Sequence, residues 1–281
     1  MICELNHQAV LASLLDRDPW GHKGSFGKLL LLCGSRGYTG AAYLSAMGAL
    51  RTGAGLVFMG VPESIYAIEA VKLTEPVVFP LPDEGGKLSA EALPEILERL
   101  SKMDAVLMGP GLGQSPGTLA VVRAVLERAA CSVVLDADGI NLMAEHRDIL
   151  RGRKASTILT PHDGEFARLG GCLTENRMES AASLARELGC VVLLKGHETC
   201  ITDGVTHYRN KTGNPGMAVG GSGDVLAGMI AGLLGQGLPP IQAAACAAWL
   251  HGAAGDLAAR DLGQYAMLPT DLLDRLPRLL K

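Results

Sequence analysis

Apolar residues along this chain come in short unbroken runs. Leu29–Cys33, Leu56–Gly60, Val77–Phe79, Ala105–Met108, Ser132–Leu135, Thr157–Leu159 and Val191–Leu194 each have the length of a strand, and each runs into turn-forming residues. Runs of this kind, without polar alternation, mark strands covered on both faces. Between them lie segments with apolar positions at helical spacing, among them Ala41–Thr52, Ser89–Leu100, Thr118–Ala129 and Glu175–Leu188. The alternation predicts an α/β fold of three layers, with a mostly parallel, doubly wound central sheet and helices on both faces. Thr199–Thr202 and Thr206–Arg209 flank Asp203-Gly204, a hairpin signal. The last third reads as helices over Asp224–Leu234, Ile241–Ala259 and Leu272–Leu280. With no low-complexity linker, charge block or internal repeat, residues 1–281 are expected to form one domain.

Composition narrows the picture. Hydrophobic residues make up 48 % of the 281 positions and charged residues 19 %, which excludes a disordered chain. A net charge of −4 without a basic stripe argues against nucleic acid as a partner. The tract from Val225 to Gly255 has no Asp, Glu, Lys or Arg, but Gly235–Pro240 breaks it into pieces too short to span a bilayer. The seven cysteines show neither metal-ligand nor redox spacing, and no signal peptide opens the chain, so a reducing cytoplasm is the expected setting. Glycine is the compositional outlier: 23 of the 36 glycines fall in Gly21–Gly60, Gly109–Gly117 and Gly213–Gly237.

Those stretches are not the familiar nucleotide loops. Gly21-His-Lys-Gly-Ser-Phe-Gly27-Lys28 is one residue too long for a Walker A loop and precedes a strand instead of following it. Neither Gly34–Gly40 nor Gly109–Gly113 has the spacing of a dinucleotide fingerprint. The strongest local signal is Gly220-Gly-Ser-Gly-Asp224 at the start of an apolar helix. Backbone N–H groups and the helix N-terminus there make an anion hole suited to phosphate. Asp224 beside a phosphate makes chemical sense as a base that takes a proton from an attacking hydroxyl. Ser222 or Asp224 serving merely as a helix cap is the competing reading. Ala227, Gly228, Ala231 and Gly232 fit close helix packing.

Three strand ends carry further candidates. In Thr160-Pro-His-Asp-Gly-Glu165, His162 can bond a polar substrate and Glu165 can hold Mg²⁺ through water, or the segment is only an acidic helix start. Asp136 and Asp138 can reach a cation or a phosphate-bound water, or remain solvated and capping. Lys195 can neutralise phosphate as a point charge, with Gly196 allowing close approach. His251, inside an apolar helix, reads as a satisfied core residue.

Taken in order, His22–Gly27, Gly34–Ala42, Gly109–Gly113, Leu135–Asp138, Thr160–Glu165, Leu194–Gly196, Asn214–Ala218 and Gly220–Asp224 resemble the ADP-dependent (S)-NAD(P)H-hydrate dehydratase family of the ribokinase-like superfamily. The resemblance covers about His22 to Ala259. It implies phosphorylation of the hydroxyl on a hydrated nicotinamide ring by ADP with Mg²⁺, then loss of phosphate to give NADH or NADPH. In that scheme Asp224 is the base, and the Gly221, Ser222 and Gly223 amides stabilise the transferring group. Ala42, Gly113, His162 and Asp224 contact the hydrated dinucleotide. Lys195, Gly196, His197, Glu198, Thr199 and Gly223 contact the adenine nucleotide. The glycines of 34–40 and 109–113 are expected to admit the dinucleotide close to the backbone. Ser222 stands where the common family form has Thr, and retains the hydroxyl. Family likeness also implies a homo-oligomer, a tetramer, with Ile241–Ala259 serving either core or interface. Only about 20 residues precede His22, so a separate epimerase is expected to supply the (S) form. The rivals are a ribokinase-like kinase of a vitamin precursor and a non-catalytic nucleotide-binding module.

Overall fold

The structure, a computed structural model, describes residues 2–281. Its strands are β1 (Ile2–Cys3), β2 (Lys28–Leu32), β3 (Leu56–Pro62), β4 (Val77–Leu81), β5 (Asp83–Glu84), β6 (Lys87–Leu88), β7 (Ala105–Met108), β8 (Ser132–Leu135), β9 (Thr157–Leu159), β10 (Val191–Leu194), β11 (Thr199–Thr202) and β12 (His207–Asn210). The helices are α1 (His7–Ser13), α2 (Thr39–Arg51), α3 (Glu63–Lys72), α4 (Leu93–Leu100), α5 (Pro116–Arg128), α6 (Asp138–Met143), α7 (Arg147–Gly152), α8 (Asp163–Arg168), α9 (Arg177–Leu188), α10 (Ser222–Gly235), α11 (Pro240–Leu262) and α12 (Pro269–Leu279).

Ten strands form one sheet in the order β1-β12-β11-β10-β9-β8-β7-β2-β3-β4, and β5 with β6 makes a separate small hairpin. Every neighbour pair in the large sheet is parallel except the two that flank β11. The chain builds outward from β2 to β4, returns to place β7 on the other side of β2, and builds outward again to β10. Crevices at the carboxyl ends of such strands are where open α/β sheets bind ligands.

The apolar runs alternate between two cores. Leu29 and Leu31 join one cluster with α2, α10, α11 and α12, while Leu30 and Leu32 join the other with α4, α5 and α9. A period of two with both faces covered yields the unbroken run. The two layers differ in grain. A methyl on Gly48 would lie 2.5 Å from the Val225 carbonyl oxygen, and one on Gly228 2.0 Å from that of Ser45. Backbone therefore meets backbone where α2 crosses α10, as the spacing of Gly228 and Gly232 predicts. The alanine-rich α11 is buried within this same chain, from Ala243 through His251 to Ala258, so its alanines serve the core.

The glycines after β2 and β7 depart from expectation. Gly109 has φ +125°, and a methyl there would lie 1.8 Å from the Asp136 carbonyl oxygen. Gly34 packs on the Cβ of Ala42, and its N–H donates to Pro110 at 2.8 Å. Gly111 packs on Ala41 and Tyr38. These three bring backbone segments together instead of making room for a ligand; only Gly37 and Gly40 of the two groups face open space. Among the described residues no helix is long and apolar enough to cross a membrane, and no cysteine is paired.

Candidate active site

The candidate residues gather on the sheet edge formed by the carboxyl ends of β2, β7, β8, β9 and β10. The motif His22–Gly27 does not. It precedes β2 and lies at the opposite edge, where Gly27 abuts Gly235 at the far end of α10. There His22 Nδ1 accepts from the Gly24 N–H at 3.1 Å and orders a single turn.

Helix α10 enters this edge through Gly221, its N-cap, at φ +96°. No side chain caps the helix, so Ser222 and Asp224 are not spent on capping. Of the amides expected to form the anion hole, that of Ser222 donates to the Val219 carbonyl at 3.3 Å, whereas among the described residues no acceptor bonds the N–H groups of Gly223 and of Asp224, the next residue along. They stand ready for an anion, with the helix dipole behind them. The Ser222 hydroxyl lies 3.4 Å from His251 Nε2, both residues being buried. Burial pulls the His251 imidazole down to about 4, so it is neutral near pH 7.

Three strand ends deliver charge to the same spot. Asp136, at the end of β8, accepts from Lys195 Nζ at 2.8 Å and from Thr160 Oγ1 at 2.7 Å. Glu165 Oε2 lies 3.7 Å from the same ammonium. A methyl on Gly223 would lie 3.5 Å from Lys195 Nζ and 3.8 Å from Asp136 Oδ2, which places the ion pair directly against the glycine turn. Burial alone would lower the Lys195 ammonium, but Asp136 and Glu165 outweigh it and raise it above the ordinary lysine value. Asp224 is pushed up to about 6 by burial first and then by Asp136, with Lys195 opposing. A carboxylate in that range is matched to proton abstraction near neutrality.

A cavity of about 840 Å³ opens beside this cluster. Lys195, Gly196, His197, Glu198 and Thr199 line one wall, with His162 at its margin. Asn210–Asn214 and Met217–Val219 line another, and Ser222, Gly223, Leu226 and His251 close the end. In the 195–199 wall, Glu198 holds φ +55° and Thr199 Oγ1 donates to the Gly196 carbonyl at 3.0 Å.

Other candidates are placed differently. Ala42 is fully buried on α2, and Gly113 donates its N–H to Asp138 at 2.8 Å; neither lines the cavity. Ala42 follows β2 in the first turn of α2 and Gly113 lies in the loop after β7, on the same sheet edge. His162 and Glu165 form a capping box on α8: His162 Nδ1 accepts from the N–H groups of Gly164 and Glu165, and Glu165 Oε2 accepts from the His162 N–H at 2.9 Å. The helix-start reading of that segment is thus realised, with His162 also at the cavity. Asp136 and Asp138 part company, since Asp138 ties the Gly113–Gln114 loop while Asp136 holds Lys195. His251 is buried as expected but also reaches the cavity. Asn210 is a residue the sequence reading passed over. It is buried at the end of β12 and donates to the Ala248 carbonyl at 3.1 Å; no motif in the sequence marked it as a site residue.

A family model described as NAD(P)H-hydrate dehydratase matches residues 29–278. The bifunctional NAD(P)H-hydrate repair enzyme Nnr of Moorella thermoacetica is 50 % identical over 272 residues, which cover 94 % of this chain and 51 % of that relative. The Nnr of Salinibacter ruber is 40 % identical over 282 residues, 98 % of this chain and 52 % of its own length. The chain thus spans about half the length of these curated relatives. Among solved structures, the ADP/ATP-dependent NAD(P)H-hydrate dehydratase of Bacillus subtilis, co-crystallised with ATP and Mg²⁺, superposes with a TM-score of 0.82 at 32 % identity, covering 98 % of this chain and 96 % of that one.

Proposed function

The chain belongs to the NAD(P)H-hydrate dehydratase family, with a ribokinase-like fold, and from that premise we propose that it dehydrates (S)-NADHX and (S)-NADPHX with ADP as phosphoryl donor. The observation that carries the reading is the cavity walled by Lys195–Thr199, which ends on the open N–H groups of α10 beside Asp224. Hydroxide is a poor leaving group, and the site is built to convert it into phosphate. Asp224 takes the proton of the ring hydroxyl as its oxygen attacks the β-phosphorus of ADP, and AMP leaves. The N–H groups of Gly223 and Asp224 donate to the oxygens of the transferring group, and Lys195 neutralises its charge as a point charge. The ring-nitrogen lone pair then expels phosphate, and loss of a proton from the adjacent carbon restores the reduced ring. The products are NAD(P)H, AMP, phosphate and a proton.

In this reading Lys195, Gly196, His197, Glu198, Thr199 and Gly223 hold the adenine nucleotide. His162 and Asp224 hold the dinucleotide together with the segments of Ala42 and Gly113, where Ala42 itself is fully buried and the Gly113 N–H is already taken by Asp138. Among the described residues no group of three metal-ligating side chains forms, and Glu165 already accepts from His162 and faces Lys195. The residues therefore do not fit a cage for bare Mg²⁺. The ion would arrive on the nucleotide phosphates, with Glu165 reached only through water. We further read the enzyme as a homotetramer acting in the cytoplasm, and as taking its (S) substrate from an epimerase of the same dinucleotides.

The test supplies hydrated NADH, ADP and Mg²⁺ and follows absorbance of the reduced nicotinamide. Recovery of NADH with one AMP and one phosphate per turnover is expected. No recovery, alongside stable phosphorylation of a vitamin precursor, would establish the kinase instead. AMP binding without either reaction would leave a binding module.

A further inference from the structure

We propose that Asp136 is the positioning residue of this site: its buried carboxylate holds the Lys195 ammonium against Gly223 and away from Asp224, so that the base stays free and the cation faces the transferring phosphoryl group. The proposal rests on the reading of Asp224 as base and deepens it.

Asp136 is only 2 % exposed and is immobilised from several sides. Its N–H donates to the Met108 carbonyl at 3.2 Å, and its own carbonyl accepts from Gly139 at 2.9 Å. Gly109 packs directly on that carbonyl, leaving no space for a side chain. The carboxylate itself accepts two bonds, from Thr160 Oγ1 and Lys195 Nζ. Three strand ends thereby lock one ammonium. The other carboxylate near it, Glu165, is farther away at 3.7 Å and is already engaged by the His162 N–H.

The arithmetic of charge explains why this lock matters. One ammonium is shared among three carboxylates, Asp136, Glu165 and Asp224. If Lys195 paired with Asp224, the base would be neutralised and its proton affinity lost. Asp136 wins the competition by geometry, because its bond to Lys195 is short and its own position is fixed before any ligand binds. The nucleotide then meets a cation placed for phosphate beside a carboxylate left free for the hydroxyl proton.

The experiment compares wild type, Asp136→Asn and Thr160→Val. In Asp136→Asn the ammonium is expected to turn to Asp224, lowering kcat about 100-fold, the cost of a misplacement near 1 Å. AMP and ADP affinity should stay the same or tighten, since one negative charge beside the phosphates is gone. Thr160→Val frees Asp136 without changing charge and should lower kcat less, again with affinity retained, and Thr160→Ser should restore it. A role in folding alone would weaken affinity and kcat together. Crystal structures give a readout that needs no turnover: Lys195 Nζ on Asp136 in the wild type and on Asp224 in Asp136→Asn. Near-normal kcat in Asp136→Asn, a parallel loss of affinity and kcat, or an unmoved ammonium would each overturn the proposal. A wild type that binds AMP but leaves hydrated NADH unchanged would instead overturn the dehydratase reading, with the crystallographic comparison still deciding the placement of Lys195.

Discussion

At the start of α10, a methyl on Gly223 would meet nothing nearer than the Lys195 ammonium at 3.5 Å, whereas five residues on, a methyl on Gly228 would lie 2.0 Å from the Ser45 carbonyl oxygen. The same residue type on one helix serves two ends. Near Gly221 its absence of a side chain leaves N–H groups exposed to a ligand and permits a left-handed turn. Along the body of the helix it lets α2 pack backbone against backbone, which braces the platform on which the N–H groups stand. Composition counts both kinds alike, and only the neighbour through space tells them apart.

The largest effect expected comes from Asp224. Asp224→Asn should lower turnover about 10²- to 10⁴-fold, the usual worth of a positioned base. AMP binding should survive, as isothermal titration would show. Because the Asp224 carboxyl titrates near 6 in the folded chain, above its ordinary value, it supports folding at low pH and loses that support as pH rises through about 6. The Asn variant should therefore be more stable at pH 7.5, by up to about 3 kcal/mol, with the gain vanishing toward pH 4. Denaturant unfolding at the two pH values measures it.

The two glycines provide the next test. Gly228→Ala should cost about 1–3 kcal/mol of stability, at the upper end because the obstacle is backbone. Gly223→Ala should leave stability within about 1 kcal/mol, as alanine suits a helix. Its methyl would sit at the phosphoryl position, so AMP affinity and turnover should both fall. Equal destabilisation of the two variants, with AMP affinity intact in Gly223→Ala, would erase the difference between the two glycines.

A smaller effect is the acid limb of kcat/KM, expected near pH 6 in the wild type as Asp224 takes up its proton, and absent from the residual activity of Asp224→Asn. Smallest is Ser222. Ser222→Thr keeps the hydroxyl beside His251 and should change kcat less than about threefold, whereas Ser222→Ala should cost up to about tenfold, the worth of one neutral hydrogen bond.

Much of the framework was legible because it is local. Seven strands of the large sheet and the start of α10 follow from apolar runs and a glycine turn, each readable within about ten residues. Helix α3 escaped because its apolar residues are split between core and solvent: Ile65 is buried, while Ile68 and Val71 are exposed. The two-residue β1 and six-residue α7 are too short to show a period. At the site, Asp224 and the 195–199 wall stand at a helix start and a strand end, positions the pattern marks. Asn210 and the cavity face of His251 do not, since a hairpin end and a helix interior carry no such mark.

By itself the sequence determined the layers, the strand ends that could carry chemistry, and the family to which the chain belongs. The tertiary structure alone decided that Asp136 meets Lys195 across 59 positions, that Asp138 does not share its task, and that Asp224 titrates near 6. Propensity and periodicity depend on neighbours along the chain. Ion pairs, desolvation and the space beside a glycine depend on neighbours across the sheet, and these exist only once β9 has seated β8 and β10 on either side of it.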